Sequence, residues 1–330
     1  MAKNMIYKLG QRSIPVPSGA SLDIQNNILE TDIPDVKDWQ KTIPANNDEW
    51  LTTIDQMDAA ELAFIDDNCL KENISVVHDK INGIAVYHVS PDEIDPLLED
   101  SLFVHVHGGG YVFGGGEACL TEALLIAKKT KIKVLSIDYR MPPSHPFPAG
   151  LDDVVEVYRH LLKERSASSI ALGGSSAGGG LALASIMQFQ QHGLELPKAV
   201  FAGTPWTDLS KNGDSYFINE GLDRSLVSYE GILAEMAKLY AGENDLKHPL
   251  ISPIYGDFEG FPPVFLISGS RDLFLSCTIR AHCKLRSAGS IADLIVLEGL
   301  SHGDYVLLVD SPESALFHTE LNAFLAKHLQ

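Results

Sequence analysis

The stretch Ser169-Ile-Ala-Leu-Gly-Gly-Ser-Ser-Ala-Gly178 joins a short apolar run to a helix-forming run that continues from Leu181 to Gln191. Within it, Gly174-x-Ser176-x-Gly178 has the setting of a nucleophile elbow. In such an elbow a serine projects its hydroxyl from a strand-to-helix turn so sharp that only small residues fit two places before and two after it. Ser176 is therefore the expected nucleophile. Ser175 is the competing hydroxyl, but it is flanked by Gly173 and Ala177, and alanine fits the tight second position less well.

A serine held between a strand and a helix implies an α/β architecture, and the chain alternates accordingly after about residue 70. Strands are expected over 74–78, 84–89, 102–106, 134–138, 170–173, 199–202, 264–268 and 292–297. Helices are expected over 119–129, 151–164, 181–191, 276–287 and 311–328. Asn82-Gly83, between the first two strands, signals a hairpin and an antiparallel entry into the sheet. The expected fold is a mostly parallel sheet with helices on both faces. Residues 1–68, with a helical stretch at 48–67, and residues 205–245, with one at 229–240, contain no strand. They read as a lid over the carboxyl ends of the strands, with plain cover of apolar sheet surface as the alternative. The chain divides into an N-terminal cap segment (1–68) and a catalytic domain (69–330) carrying the 205–245 insertion.

The 330 residues are 45% hydrophobic and 21% charged, enough for one large core. A formal net charge of −19 repels phosphate backbones and anionic headgroups, so neither nucleic acid nor stable membrane anchoring is expected. Cys69, Cys119, Cys277 and Cys283 have no metal-binding spacing and read as reduced thiols. Residues 1–10 lack the apolar region of a secretory signal, and no apolar run is long enough to span a bilayer. The expected compartment is the cytoplasm.

His107-Gly108-Gly109-Gly110 follows the strand at 102–106. Consecutive glycines let the backbone approach a ligand and aim N–H groups at it. Gly108 and Gly109 are the expected oxyanion donors, with Ala177, the residue after the nucleophile, as the third. His107 reads as a residue that fixes the loop. A phosphate cradle is disfavoured, because no Walker-type glycine-lysine string is present. Gly114, Gly115 and Gly116 imply a mobile or tightly folded loop alongside.

A serine nucleophile needs a base and an orienting acid. The strand at 264–268 runs into Asp272 and the strand at 292–297 into His302, which places the pair at matching sheet ends in the chain order Ser, Asp, His. His282, His318 and His328 fall on helices, and Asp293 opens a strand at the wrong end. Asp304 is the rival acid. Neither a metal-ligand spacing nor a dinucleotide fingerprint appears, so no cofactor or metal is expected.

Three stretches, His107-Gly-Gly-Gly110, Gly174-Ser-Ser-Ala-Gly-Gly179 and Asp138-Tyr-Arg-Met-Pro-Pro-Ser-His-Pro-Phe-Pro-Ala149, together resemble the signatures of the hormone-sensitive lipase family of α/β-hydrolase esterases. The spacing from Ser176 to Asp272 to His302 is similar to that family's triad. The resemblance covers roughly residues 70–330. It implies an eight-stranded sheet, a cap built from the N-terminal segment and the 205–245 insertion, and hydrolysis of esters with short to medium acyl chains. Ser175 stands where the family usually has Asp, Glu or Thr, which implies a different hydrogen bond behind the elbow. Asp272-Leu-Phe-Leu-Ser276 replaces the usual Asp-Pro-Leu-x-Asp, and Gly303-Asp304 replaces Gly-Phe.

The expected activity is therefore serine carboxylesterase, on a small-molecule ester. A lactonase, amidase or deacetylase on the same scaffold is the nearest alternative, and a non-catalytic ligand-binding protein a further one. Tyr111, Trp206 and Tyr305, with Phe113 and Phe217, are candidate apolar contacts to a substrate with hydrophobic bulk, and each fits the core equally well. A homodimer formed through the strand at 292–297 or the terminal helix is plausible.

Overall fold

Alternate residues of the central strands divide between two apolar cores, because a strand points successive side chains to opposite faces of its sheet. Val104, Val106, Leu172, Val200 and Leu266 join one core, while Phe103, Ala171, Phe201 and Phe265 join the other. Both faces are dry, so helices cover both.

The computed structural model describes residues 13–30, 35–41 and 43–329. Residues 1–10, read above for a secretory signal, lie outside that range. In chain order the elements are helices α1 (Leu22–Glu30), α2 (Val36–Trp39) and α3 (Asn47–Asp67), strands β1 (Ile74–Ile81), β2 (Ile84–Pro91) and β3 (Leu102–Val106), and helix α4 (Leu120–Thr130). There follow β4 (Lys133–Asp138), α5 (Ala149–Leu161), β5 (Ile170–Ser175), α6 (Ala177–Gln191), β6 (Ala199–Gly203), α7 (Ser215–Ile218) and α8 (Ile232–Ala241). The chain ends with β7 (Val264–Gly269), α9 (Leu275–Ser287), β8 (Ala292–Leu297), α10 (Asp304–Leu307) and α11 (Pro312–His328). The eight strands lie in the order β1-β2-β4-β3-β5-β6-β7-β8. Among the described residues only the pairs β1–β2 and β2–β4 are antiparallel. The chain steps from β3 to β4 on one side and then returns across β3 to β5 on the other, and such a reversal opens a crevice beyond the carboxyl ends of the strands.

Two element starts differ from the sequence reading by three residues or more. Helix α6 begins at Ala177 rather than Leu181, because Gly178 and Gly180 pack the helix too closely for side chains. A Cβ at Gly178 would overlap the Val106 carbonyl, and one at Gly180 would overlap the Tyr111 hydroxyl. Helix α8 begins after Gly231, whose φ of +101° is not helical, so Tyr229 stays outside it and donates its hydroxyl to the Leu209 carbonyl at 2.5 Å.

Candidate active site

Ser176 sits between β5 and α6 with φ 60° and ψ −124°, a conformation that costs a non-glycine residue about 1–3 kcal/mol. Its surroundings enforce it. The Ser176 N–H donates to the Gly203 carbonyl at 2.8 Å, and its own carbonyl accepts from Trp206 N at 2.9 Å and Gly180 N at 3.1 Å. A Cβ at Gly174, as at Gly178, would overlap the Val106 carbonyl oxygen, which explains the two small positions.

Behind the elbow lies a buried polar cluster that the sequence reading missed. Glu122, on α4, accepts the Ser175 N–H at 2.9 Å and the Ser175 hydroxyl, and its carboxylate meets His105 Nε2 at 3.1 Å. The Ser175 hydroxyl also pairs with the Tyr305 hydroxyl at 2.6 Å, and His105 Nδ1 meets Ser136 at 2.9 Å. At position 175, where the resemblance implies Asp, Glu or Thr, a serine donates to a carboxylate supplied by a neighbouring helix.

Asp272 is fully buried at the end of β7. Its Oδ1 accepts from Phe274 N at 2.7 Å and lies 3.1 Å from His302 Nδ1. Its Oδ2 accepts from the hydroxyls of Ser268, at 2.8 Å, and Thr204. With Nδ1–H directed at a carboxylate, the neutral His302 ring keeps Nε2 as its acceptor. Burial disfavours the imidazolium, but the charge and hydrogen bond of Asp272, aided by Asp223 and Asp304, outweigh it and raise the His302 pKa above the ordinary 6.5. Asp304, the rival acid, turns instead to Arg224, at 3.0 Å, and to the Ser301 N–H, at 2.7 Å.

The glycine loop after β3 is tightly folded. Asp58 of α3 accepts from Gly114 N at 2.6 Å and Gly115 N at 3.3 Å, and Asp138 accepts from Gly116 N at 3.1 Å. His107 Nδ1 donates to the Gly108 carbonyl at 2.8 Å, and its ring stacks on Tyr139 at 4.1 Å. Burial pulls its pKa down to about 3, so it stays neutral and braces the loop. Among the described residues the N–H groups of Gly108, Gly109 and Ala177 donate to no protein acceptor.

Ser176, His302, Gly108 and Gly109 border one cavity of about 270 Å³, walled also by Met57 of α3 and Met236 of α8. The two strandless segments thus both contribute walls. The aromatic expectations need correction. Tyr111, Trp206 and Tyr305 are essentially fully buried and lie outside this lining. Each spends its polar atom inside the protein: Tyr111 on the Trp206 carbonyl at 3.4 Å, Trp206 on the Tyr216 hydroxyl at 3.0 Å, and Tyr305 on Ser175. Phe113 does line the cavity, while Phe217 is exposed.

Comparison with known proteins agrees with this geometry. The alpha/beta hydrolase fold family matches over residues 103–306. The crystal structure of esterase E25 superposes with a TM-score of 0.95 at 50% identity, covering 98% of this chain and 99% of that one. An esterase from the bacterial hormone-sensitive lipase family superposes at 0.81 with 28% identity, covering 94% and 99%. An acetyl-hydrolase of Streptomyces hygroscopicus is 32% identical over 192 residues, 58% of this chain and just under two thirds, 64%, of that enzyme. The fold, the elbow and these likenesses converge, and the chain belongs to the hormone-sensitive lipase family of α/β-hydrolases, a family of carboxylic ester hydrolases.

Proposed function

We propose that the protein is a serine carboxylesterase that hydrolyses short- to medium-chain acyl esters through a Ser176-His302-Asp272 triad. The observation that carries this reading is that a serine on a strained elbow and a histidine paired to a buried carboxylate border the same cavity. Ser176 Oγ adds to the ester carbonyl as His302 Nε2 takes its proton. The Gly108, Gly109 and Ala177 N–H groups receive the oxyanion. Collapse expels the alcohol, which takes the proton from imidazolium, and leaves an acyl-serine. Water, deprotonated by His302, repeats the sequence and releases the acid.

A cavity of about 270 Å³ lies at the lower edge of ligand pockets, roughly 300–1,000 Å³. Across p-nitrophenyl esters from acetate to palmitate, kcat/KM is expected to peak at or below octanoate and to fall more than about tenfold at palmitate, roughly 1.4 kcal/mol. A maximum at palmitate would remove the chain-length assignment. The acetyl-hydrolase likeness favours deacetylation as a second reading, scored in the same series by acetate release from acetylated sugars.

A homodimer is also proposed. Among the described residues strand β8 pairs only with β7, and Val296 on it and Leu316 on α11 are exposed. Light scattering is expected to give twice the 35.9 kDa chain mass, and a monomer mass would retire the idea. Four free cysteines, two of them exposed, support a reducing compartment such as the cytoplasm. No helix among the described residues is long and apolar enough to cross a membrane.

A further inference from the structure

The insertion between β6 and β7 enters the site as well as walling it. Asn219 Nδ2 donates to the carbonyl of Asp272 at 2.8 Å and of Ser270 at 3.3 Å. The Arg224 N–H donates to Ser301 Oγ at 3.2 Å. Between them Asp223, fully buried, spreads its two oxygens over three segments. Oδ2 accepts from Leu273 N, next to the acid, at 2.8 Å, and Oδ1 accepts from His302 N, on the base itself, at 3.4 Å. Oδ1 also accepts from Ser225 N at 2.9 Å and Leu226 N at 3.0 Å in its own turn.

An aspartate that only capped its own turn would need Oδ1 alone. The two loops are cross-linked close to their strands, by Ser270 N to the Leu297 carbonyl at 2.9 Å and Arg271 N to the Leu300 carbonyl at 3.0 Å. Past Leu300, the polar side chains that hold His302 among the described residues are Asp272, Thr204 and Asp223, and the Phe274 ring of the acid loop meets the imidazole edge-on at 4.8 Å.

We propose that Asp223 is a positioning residue, a splint from the insertion that ties the acid-bearing loop to the base-bearing loop and sets the Asp272–His302 pair in register and in charge. The proposal rests on the triad reading above. Misplacing a reacting group by about 1 Å costs on the order of 100-fold, so a carboxylate touching both loops has leverage on turnover without touching substrate.

Electrostatics gives a readout that a purely architectural role would not move. His302 is faced by Asp272, Asp223 and Asp304, the last paired with Arg224. Burial and the Asp272 charge push the Asp223 carboxyl up to about 6, with His302 and the Leu226 and Leu273 N–H groups opposing. The base must be neutral to act, so kcat/KM falls as pH drops through the raised His302 pKa. Removing the Asp223 charge destabilises imidazolium, lowers that pKa and moves the acid limb to lower pH.

The test is Asp223→Asn and Asn219→Ala, with rates normalised to active sites titrated by a p-nitrophenyl phosphonate and folding checked by circular dichroism. Asp223→Asn is expected to lower kcat roughly tenfold to hundredfold with KM within about twofold, and to shift the acid limb downward. Asn219→Ala, which removes a tie to the acid loop and no charge, is expected to lower kcat and leave the limb in place. A folded Asp223→Asn protein with wild-type kcat and an unmoved limb overturns the proposal. Should that variant not fold, Asn219→Ala with wild-type kcat overturns it and a lowered kcat supports it. Failure of the triad reading shows separately, as activity retained by Ser176→Ala.

Discussion

Ser176→Ala is expected to lower kcat on p-nitrophenyl butyrate by about 10⁴-fold or more while leaving stability within about 0.5 kcal/mol of wild type. The second half of that expectation comes from the geometry. Alanine keeps the Cβ, so the positive-φ elbow is no more strained than before. The hydrogen bonds that enforce the elbow, to Gly203 and from Trp206 and Gly180, involve only the backbone of residue 176. Ser175→Ala is expected to behave in the opposite way. Its hydroxyl is shared by Glu122 and Tyr305 in a buried cluster, so its loss leaves polar groups without a partner, about 1–3 kcal/mol, and lowers turnover far less. Thermal melts and steady-state kinetics on the two variants decide the matter. Equal loss of activity from both, or activity surviving in Ser176→Ala, would remove Ser176 as the nucleophile.

The parts of this fold that could be read from sequence are those governed by local rules. The apolar runs that became β3, β5, β6 and β7 are short and buried on both faces, and the Asn82-Gly83 turn announced the hairpin of β1 and β2. That Ser176, Asp272 and His302 would lie at one end of the sheet was legible because each follows the carboxyl end of such a run. What escaped was set by distant partners. Glu122 reads as an ordinary acid in the first turn of α4, and only the fold brings it 53 residues along the chain to Ser175. The clue lay in position 175 itself, where Ser in place of the family's usual Asp, Glu or Thr implies a different hydrogen bond behind the elbow. Asp223 lies in a strandless insertion, and half of the hydrogen bonds its side chain accepts come from its own turn, so no local pattern marks the other half. Tyr111, Trp206 and Tyr305 were expected at the substrate because aromatic residues near catalytic motifs are as fit for a pocket as for a core. Their hydroxyl and indole groups found internal partners, and that choice depends on packing that no local pattern encodes.

Asp272→Ala is expected to cost about 10⁴-fold in kcat/KM, because it strips the imidazolium of its nearest charge and leaves Phe274 N, Ser268, Thr204 and His302 Nδ1 without their shared acceptor. Asp272→Asn is expected to cost less, roughly 10²–10³-fold, for a reason specific to this site. An amide has one acceptor oxygen. On the Oδ1 side both neighbours, Phe274 N–H and His302 Nδ1–H, require an acceptor. On the Oδ2 side both neighbours are hydroxyls, which can rotate to accept from an NH₂ group. The asparagine therefore seats its oxygen toward the imidazole, preserves the tautomer with Nε2 open, and loses only the charge. Its acid limb should then lie at lower pH than that of wild type, since imidazolium has lost the contact that raises its pKa most. Profiles of kcat/KM against pH for the two variants separate the outcomes. An asparagine variant as inactive as the alanine variant would mean that the hydroxyls do not turn, and an alanine variant at wild-type rate would take Asp272 out of the triad.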